Sequence, residues 1–159
     1  MMESFRRSKE LAPIVVNKAN DRRNKGRLAA QAVNLIPDLA GTYGDRWSNC
    51  WGMTLFLLGG QSALRFVENE DLDPWLEIHC VRVKRPRFGD VLAIRYGPEQ
   101  HCDCGCGDEE GALEHTAIYV GDGLYLHQAG AGGPILIETF KQVRDTYSGD
   151  RIEYMRKVA

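Results

Sequence analysis

No stretch of this chain approaches the roughly 18 consecutive apolar residues that a membrane span needs, and Met1 to Asn20 lack the apolar centre of a secretory signal. The expectation is a protein with no membrane span, either cytoplasmic or exported without a signal peptide, in a phage particle or by a specialised secretion system. Net charge is nearly absent too, at −2, which removes the general electrostatic reason to expect nucleic acid as a partner. Cysteine is sparse and odd in number. The five cannot all pair, and three of them alternate at Cys102, Cys104 and Cys106, so a disulfide framework explains them poorly and reduced thiols are expected. Internal repeats and low-complexity linkers are also missing.

What is present suits one domain. A chain of 159 residues with 43% apolar and 26% charged residues buries a core without covalent staples. The charge is unevenly spread: residues 1–27 hold eight Lys or Arg against three acids, a net of +5 that leaves −7 for the remainder. These residues read as a basic N-terminal arm and the start of a first helix, with Pro13 to Val16 extended and docked on the body.

From Asn20 to about Leu39 the spacing of Leu28, Ala32, Leu35 and Ile36 predicts a helix that Pro37 interrupts near its end. A turn-rich loop through Tyr43 leads into a second helix at Cys50, which Gly59 and Gly60 stop. Asp73 before Pro74 reads as a cap on a short helix over 74–81 that buries Trp75, Leu76 and Ile78, with Arg82 to Asp90 as a basic connection. Strands are expected at 91–96, 115–120, 124–129, 135–138 and 152–158, with a short helix or turn over 139–147. Helices first and strands afterwards describe an α+β domain whose N-terminal helices pack on a central antiparallel β-sheet.

Chemistry concentrates at Cys50. Ser48 and Asn49 are both good N-caps, so the thiol sits at a helix start, where unpaired N–H groups and the positive dipole end favour an anion. A sulfur there loses its proton more easily and has oxyanion donors beside it. The same residue type is also a common small apolar core filler, and Trp51, Met53 and Leu55 suit a core.

Two histidines offer a base. His115 and His127 flank the turn Gly121, Asp122, Gly123, and register decides whether they meet. If all three residues form the loop, His127 lies opposite Ala117, one diagonal step from His115, and Ile118, Val120, Leu124 and Leu126 share the other, apolar face. If only Asp122 and Gly123 form it, the histidines fall on opposite faces. A cysteine, a base and a group orienting that base are the parts needed for acyl transfer through a thioester.

These residues resemble the NlpC/P60 family of papain-like cysteine peptidases. NCWG stands where the family usually has DCSG. FGDVLAI is similar to its PGDLVFF strand, and HTAIYVGDGLYLH to its HVGIYIGNGxFIH hairpin, all in the family's order over residues 40–158. The resemblance implies a papain-like fold, Cys50 as nucleophile, His115 as general base, His127 as the orienting third member and Tyr43 near the oxyanion site. It implies that residues 28–159 form the catalytic domain, needing no cofactor for catalysis. The implied substrate is a peptide or peptidoglycan fragment, cut at an amide bond, often next to a D-glutamyl residue. The chain departs from the family at Asn49 and Trp51, and the bulk of Trp51 bears on the pocket.

Residues 97–114 read as a Cys-rich loop insertion outside the family pattern. His101, Cys102, Cys104 and Cys106 supply four ligand types for a structural zinc, although alternating cysteines are tight for one ion; a solvent loop with redox-sensitive thiols is the other reading. Two alternatives to the peptidase follow: an inactive binding domain with Trp51 over the site and zinc in the loop, and an intracellular amidase or acyltransferase on other substrates.

Overall fold

The computed structural model describes residues 2–20, 28, 30–43, 48–100 and 110–158. Along these residues the order is α1 Met2–Ala19, α2 Ala30–Leu39, β1 Thr42–Tyr43, α3 Cys50–Leu57, α4 Asn69–His79 and β2 Cys80–Val83. Then come β3 Val91–Arg95, β4 Leu113–Gly121, β5 Leu124–Gln128, β6 Pro134–Thr139, α5 Phe140–Thr146 and β7 Arg151–Lys157. The strands form one sheet in the order β1-β6-β5-β4-β3-β7-β2, and every pairing is antiparallel. The expected α+β architecture is therefore present.

The two faces of the sheet differ. Ile118, Val120, Leu126, Ile135 and Ile137 pack into a core with Met53 and Leu57 of α3 and Ala12 and Val15 of α1, and Leu124 packs against its margin. On the other face Leu92, Ile94, Ala117 and Tyr125 gather under Val143 of α5. The apolar set expected for one face of the hairpin is thus on one face.

Several elements differ from the sequence reading. The helix expected from Asn20 to about Leu39 is described as Ala30–Leu39, and Thr42–Tyr43, expected in a loop, is a short strand. The N-terminal stretch is a helix of 18 residues with Pro13 inside it, in place of an extended arm. Its buried stripe is Ser8, Ala12, Val15 and Ala19, spaced by four, three and four residues but built largely from small side chains that carry a weak hydrophobic signal. The helix expected at 74–81 starts earlier, at Asn69 behind the N-cap Glu68. Asp73 lies inside it and caps nothing; its carboxylate receives two hydrogen bonds from Arg95, at 2.7 and 2.8 Å. Leu76 is buried as expected, but Ile78 is 74% exposed. The basic connection after it opens with an edge strand, β2, paired with β7.

The hairpin that carries the histidines combines both registers considered for it. Gly121 pairs with Leu124, as a two-residue loop requires, and Asp122 and Gly123 both have positive φ, 52° and 72°, the conformation of a type I′ turn. A bulge between Tyr119 and Gly121 then shifts the ladder by one residue, so that Tyr119 faces Tyr125 and Ile118 faces Leu126. The extra residue returns His115 and His127 to one face.

Candidate active site

Asn49 places Cys50. Its side chain accepts from the N–H of Gly52 at 2.9 Å and from the N–H of Val67 at 3.1 Å, and its amide donates to the carbonyl of Val67 at 2.7 Å. One residue caps α3 and ties its first turn to the chain that follows the helix. Gly52 is needed for the same approach, because a Cβ there would lie 1.7 Å from the carbonyl oxygen of Arg65. The motif NCWG is legible as a packing device as much as a chemical one.

Thr116 of β4 joins α3 to the strand that carries His115. Its hydroxyl lies 2.8 Å from that of Thr54 and donates to the carbonyl of Cys50 at 3.3 Å. Cys50 is 7% exposed. Burial pushes its thiol up to about 12, opposed by hydrogen bonds from the backbone and hydroxyl of Thr116 and from the N–H groups of Trp51 and Cys50 itself. The helix-start donors do surround the sulfur, but desolvation outweighs them, and the easily ionised thiol expected from the sequence is replaced by a protonated one.

His115 and His127 meet. Nε2 of His115 is 2.8 Å from Nδ1 of His127, and Nε2 of His127 is 2.8 Å from Oε1 of Glu138 on β6. Glu138 reaches the ring because His127 pairs with Leu136, which puts the residue two further along on the same face at the diagonal position. Its other oxygen, Oε2, receives the hydroxyl of Ser4 on α1 at 3.4 Å. Tyr147, at the end of α5, stacks flat on His115, with ring centres 3.6 Å apart and planes 5° from parallel.

His115 is fully buried. Burial, and then the charge on His127, hold its imidazole well below the ordinary value of 6.5. Among the described residues its Nδ1 has no hydrogen-bond partner. Among the described residues no hydrogen bond joins Cys50 to this ring. Its sulfur bonds instead to Thr116, the next residue in the chain, and Tyr147, stacked on the ring, has its own ionisation pushed up, first by burial and then by Cys50.

Tyr43 stands elsewhere. It lies on β1, 65% exposed, with its ring 4.9 Å from that of Phe5, and it lines a groove of 510 Å³ with Phe5, Arg6 and Lys9. The tyrosine on the base is Tyr147. His101, Cys102, Cys104 and Cys106 lie outside the described residues, and among the described residues no group of three metal-ligating side chains gathers.

Glu138 and Tyr147 were not among the expected site residues. Glu138 had a signal, as the one acid in the strand Pro134–Thr139, where alternation alone assigns it a face. Tyr147 had none, since nothing local links it to a ring 32 positions earlier. No family model matches the chain, and no characterised protein sequence matches it.

Proposed function

We propose that this chain is a cysteine peptidase or amidase of the NlpC/P60 kind, with a papain-like fold, acting on amide bonds of peptides such as those of the bacterial cell wall. The observation that carries the reading is the contact of His115 with His127, on a strand whose next residue binds the sulfur of a helix-start cysteine.

With the thiol raised and the imidazole lowered, the resting pair is neutral. Nδ1 of His115 takes the proton from Cys50 as the sulfur bonds to the amide carbonyl carbon, so no preformed ion pair is required. The N–H groups at the start of α3 suit the oxyanion that results. His115 then returns the proton to the leaving amine as the C–N bond breaks, giving a thioester. Water, losing a proton to His115, attacks that thioester; the S–C bond breaks and the acid and the thiol are released.

A second reading, an inactive binding domain, is favoured by the burial of Cys50, since substrate must reach a residue that is only 7% exposed. One experiment separates the two. Purified cell-wall peptides are incubated with the wild type, Cys50→Ala and His115→Ala, and the products are weighed by mass spectrometry. The peptidase reading expects cleavage by the wild type and loss of about a hundredfold or more in each variant. Intact peptides in all three samples favour the binding domain.

A further inference from the structure

We infer that Glu138, held by Ser4 of α1, is the anionic end of a relay that fixes the tautomers of both histidines and leaves Nδ1 of His115 bare. The catalytic meaning of this relay rests on the function proposed above; its existence does not.

Protons can be placed along two contacts. A carboxylate only accepts, so the 2.8 Å contact between Glu138 and Nε2 of His127 needs its hydrogen on that nitrogen. With His127 uncharged, its other nitrogen, Nδ1, is then an acceptor, whereas an imidazolium would donate from both nitrogens and reverse the count. The 2.8 Å contact between the two rings therefore takes its hydrogen from Nε2 of His115. Applying the same rule once more leaves Nδ1 of His115 with a lone pair, and this is the buried nitrogen that has no partner among the described residues. A lone pair at that atom is what the base needs to receive the thiol proton. A proton there would leave a donor buried without an acceptor.

Both oxygens of Glu138 are engaged, one by His127 and one by Ser4. The N-terminal helix is thereby part of the arrangement, although it lies far in sequence from every other member. Glu138 touches no reacting atom, so it is a positioning residue. The further titratable group in direct contact with the pair is Tyr147, stacked on His115, and Cys50 of α3 and Glu114 of β4 act in turn on that phenol. The nearest anion by direct contact is Glu138.

The test reads protons directly. Long-range proton–nitrogen spectra of the full chain at neutral pH are expected to show the hydrogen on Nε2 in both rings. Glu138→Gln keeps an acceptor but removes the charge, so titration of the coupled rings moves to lower pH by about one unit or more, and the acidic limb of kcat/KM moves with it. In Glu138→Ala, turnover at neutral pH falls about tenfold or more with a smaller change in KM. A hydrogen on Nδ1 of His115 in the wild type, or superimposable titrations of the wild type and Glu138→Gln, overturns the relay. The wild-type spectrum decides even if a variant fails to fold. Relay spectra as expected with peptides left intact would instead sink the peptidase reading, and Cys50-dependent cleavage with an unmoved acidic limb would sink the relay alone.

Discussion

At residue 49 the side chain has to accept twice and donate once, and asparagine is a residue that does both. An aspartate, the residue the resembling family usually carries there, keeps the two acceptor roles but has no hydrogen for the carbonyl of Val67. Asn49→Asp is therefore expected to cost about 1–3 kcal/mol, the range for a buried acceptor left unpaired. Asn49→Ala also loses the cap and is expected to cost about 2–4 kcal/mol. Urea denaturation of the three proteins checks the order, and an Asn49→Asp protein as stable as the wild type would show that the donor role is unimportant. Whatever the stability, both variants loosen the turn that presents Cys50. The sequence identified Asn49 as a cap from its type alone; its other partner, Val67 in the connection before α4, is eighteen residues away and was not legible.

At the scale of elements, what could be read depended on where each pattern's information was stored. β3 to β7 were legible because alternation in a half-buried sheet is a local property, and their observed bounds differ from the expected ones by one or two residues. β2 was hidden because its exposed side carries Arg82, which pairs with Glu77 and Glu153 across the edge; in the sequence this reads as a basic connection. The shared face of the histidines was legible only as one of two registers, since a bulge at Val120 cannot be seen in composition. α1 was missed because its contact surface is small residues and a serine. That serine has an element-scale role. β1 pairs with β6 at Pro134 and Ile135, and the N–H of Ile137 is met by Ser8, 2.9 Å away, so a helix closes what would be an open strand edge. Ser8→Ala leaves that buried N–H without its acceptor and is expected to lower stability by about 1–3 kcal/mol. Amide exchange at Ile137 should accelerate with it. Unchanged exchange at that amide would mean that α1 does not guard the edge.

Over the whole molecule, two buried networks make stability depend on acid in the same direction. His115 is held neutral by burial, and an unfolded ring takes up its proton near the ordinary 6.5, so unfolding binds a proton that folding refuses. The resulting stability is complete above that pH and declines as the pH falls through it. Glu153 acts lower down. Burial would raise its carboxyl, but hydrogen bonds and charge from Arg95, with Arg82 behind them, override burial and hold it below its ordinary 4.5. A carboxylate depressed in the fold contributes stability above its unfolded value and loses it as the pH falls towards the folded one. Arg95 binds Glu153 at 2.9 Å, Asp73 of α4 and the carbonyl of Gly111, so this lower step loosens β3, β7 and α4 together. The denaturation midpoint followed from pH 8 to pH 3 should thus fall first below 6.5 and again, more steeply, below 4.5. His115→Asn should flatten the upper part and leave the lower one, while Glu153→Gln should lower the whole curve but flatten its acidic end. A wild-type midpoint that stays level between pH 7 and pH 5 would mean that the folded ring binds its proton as readily as the unfolded one, and the neutral resting pair at the site would go with it.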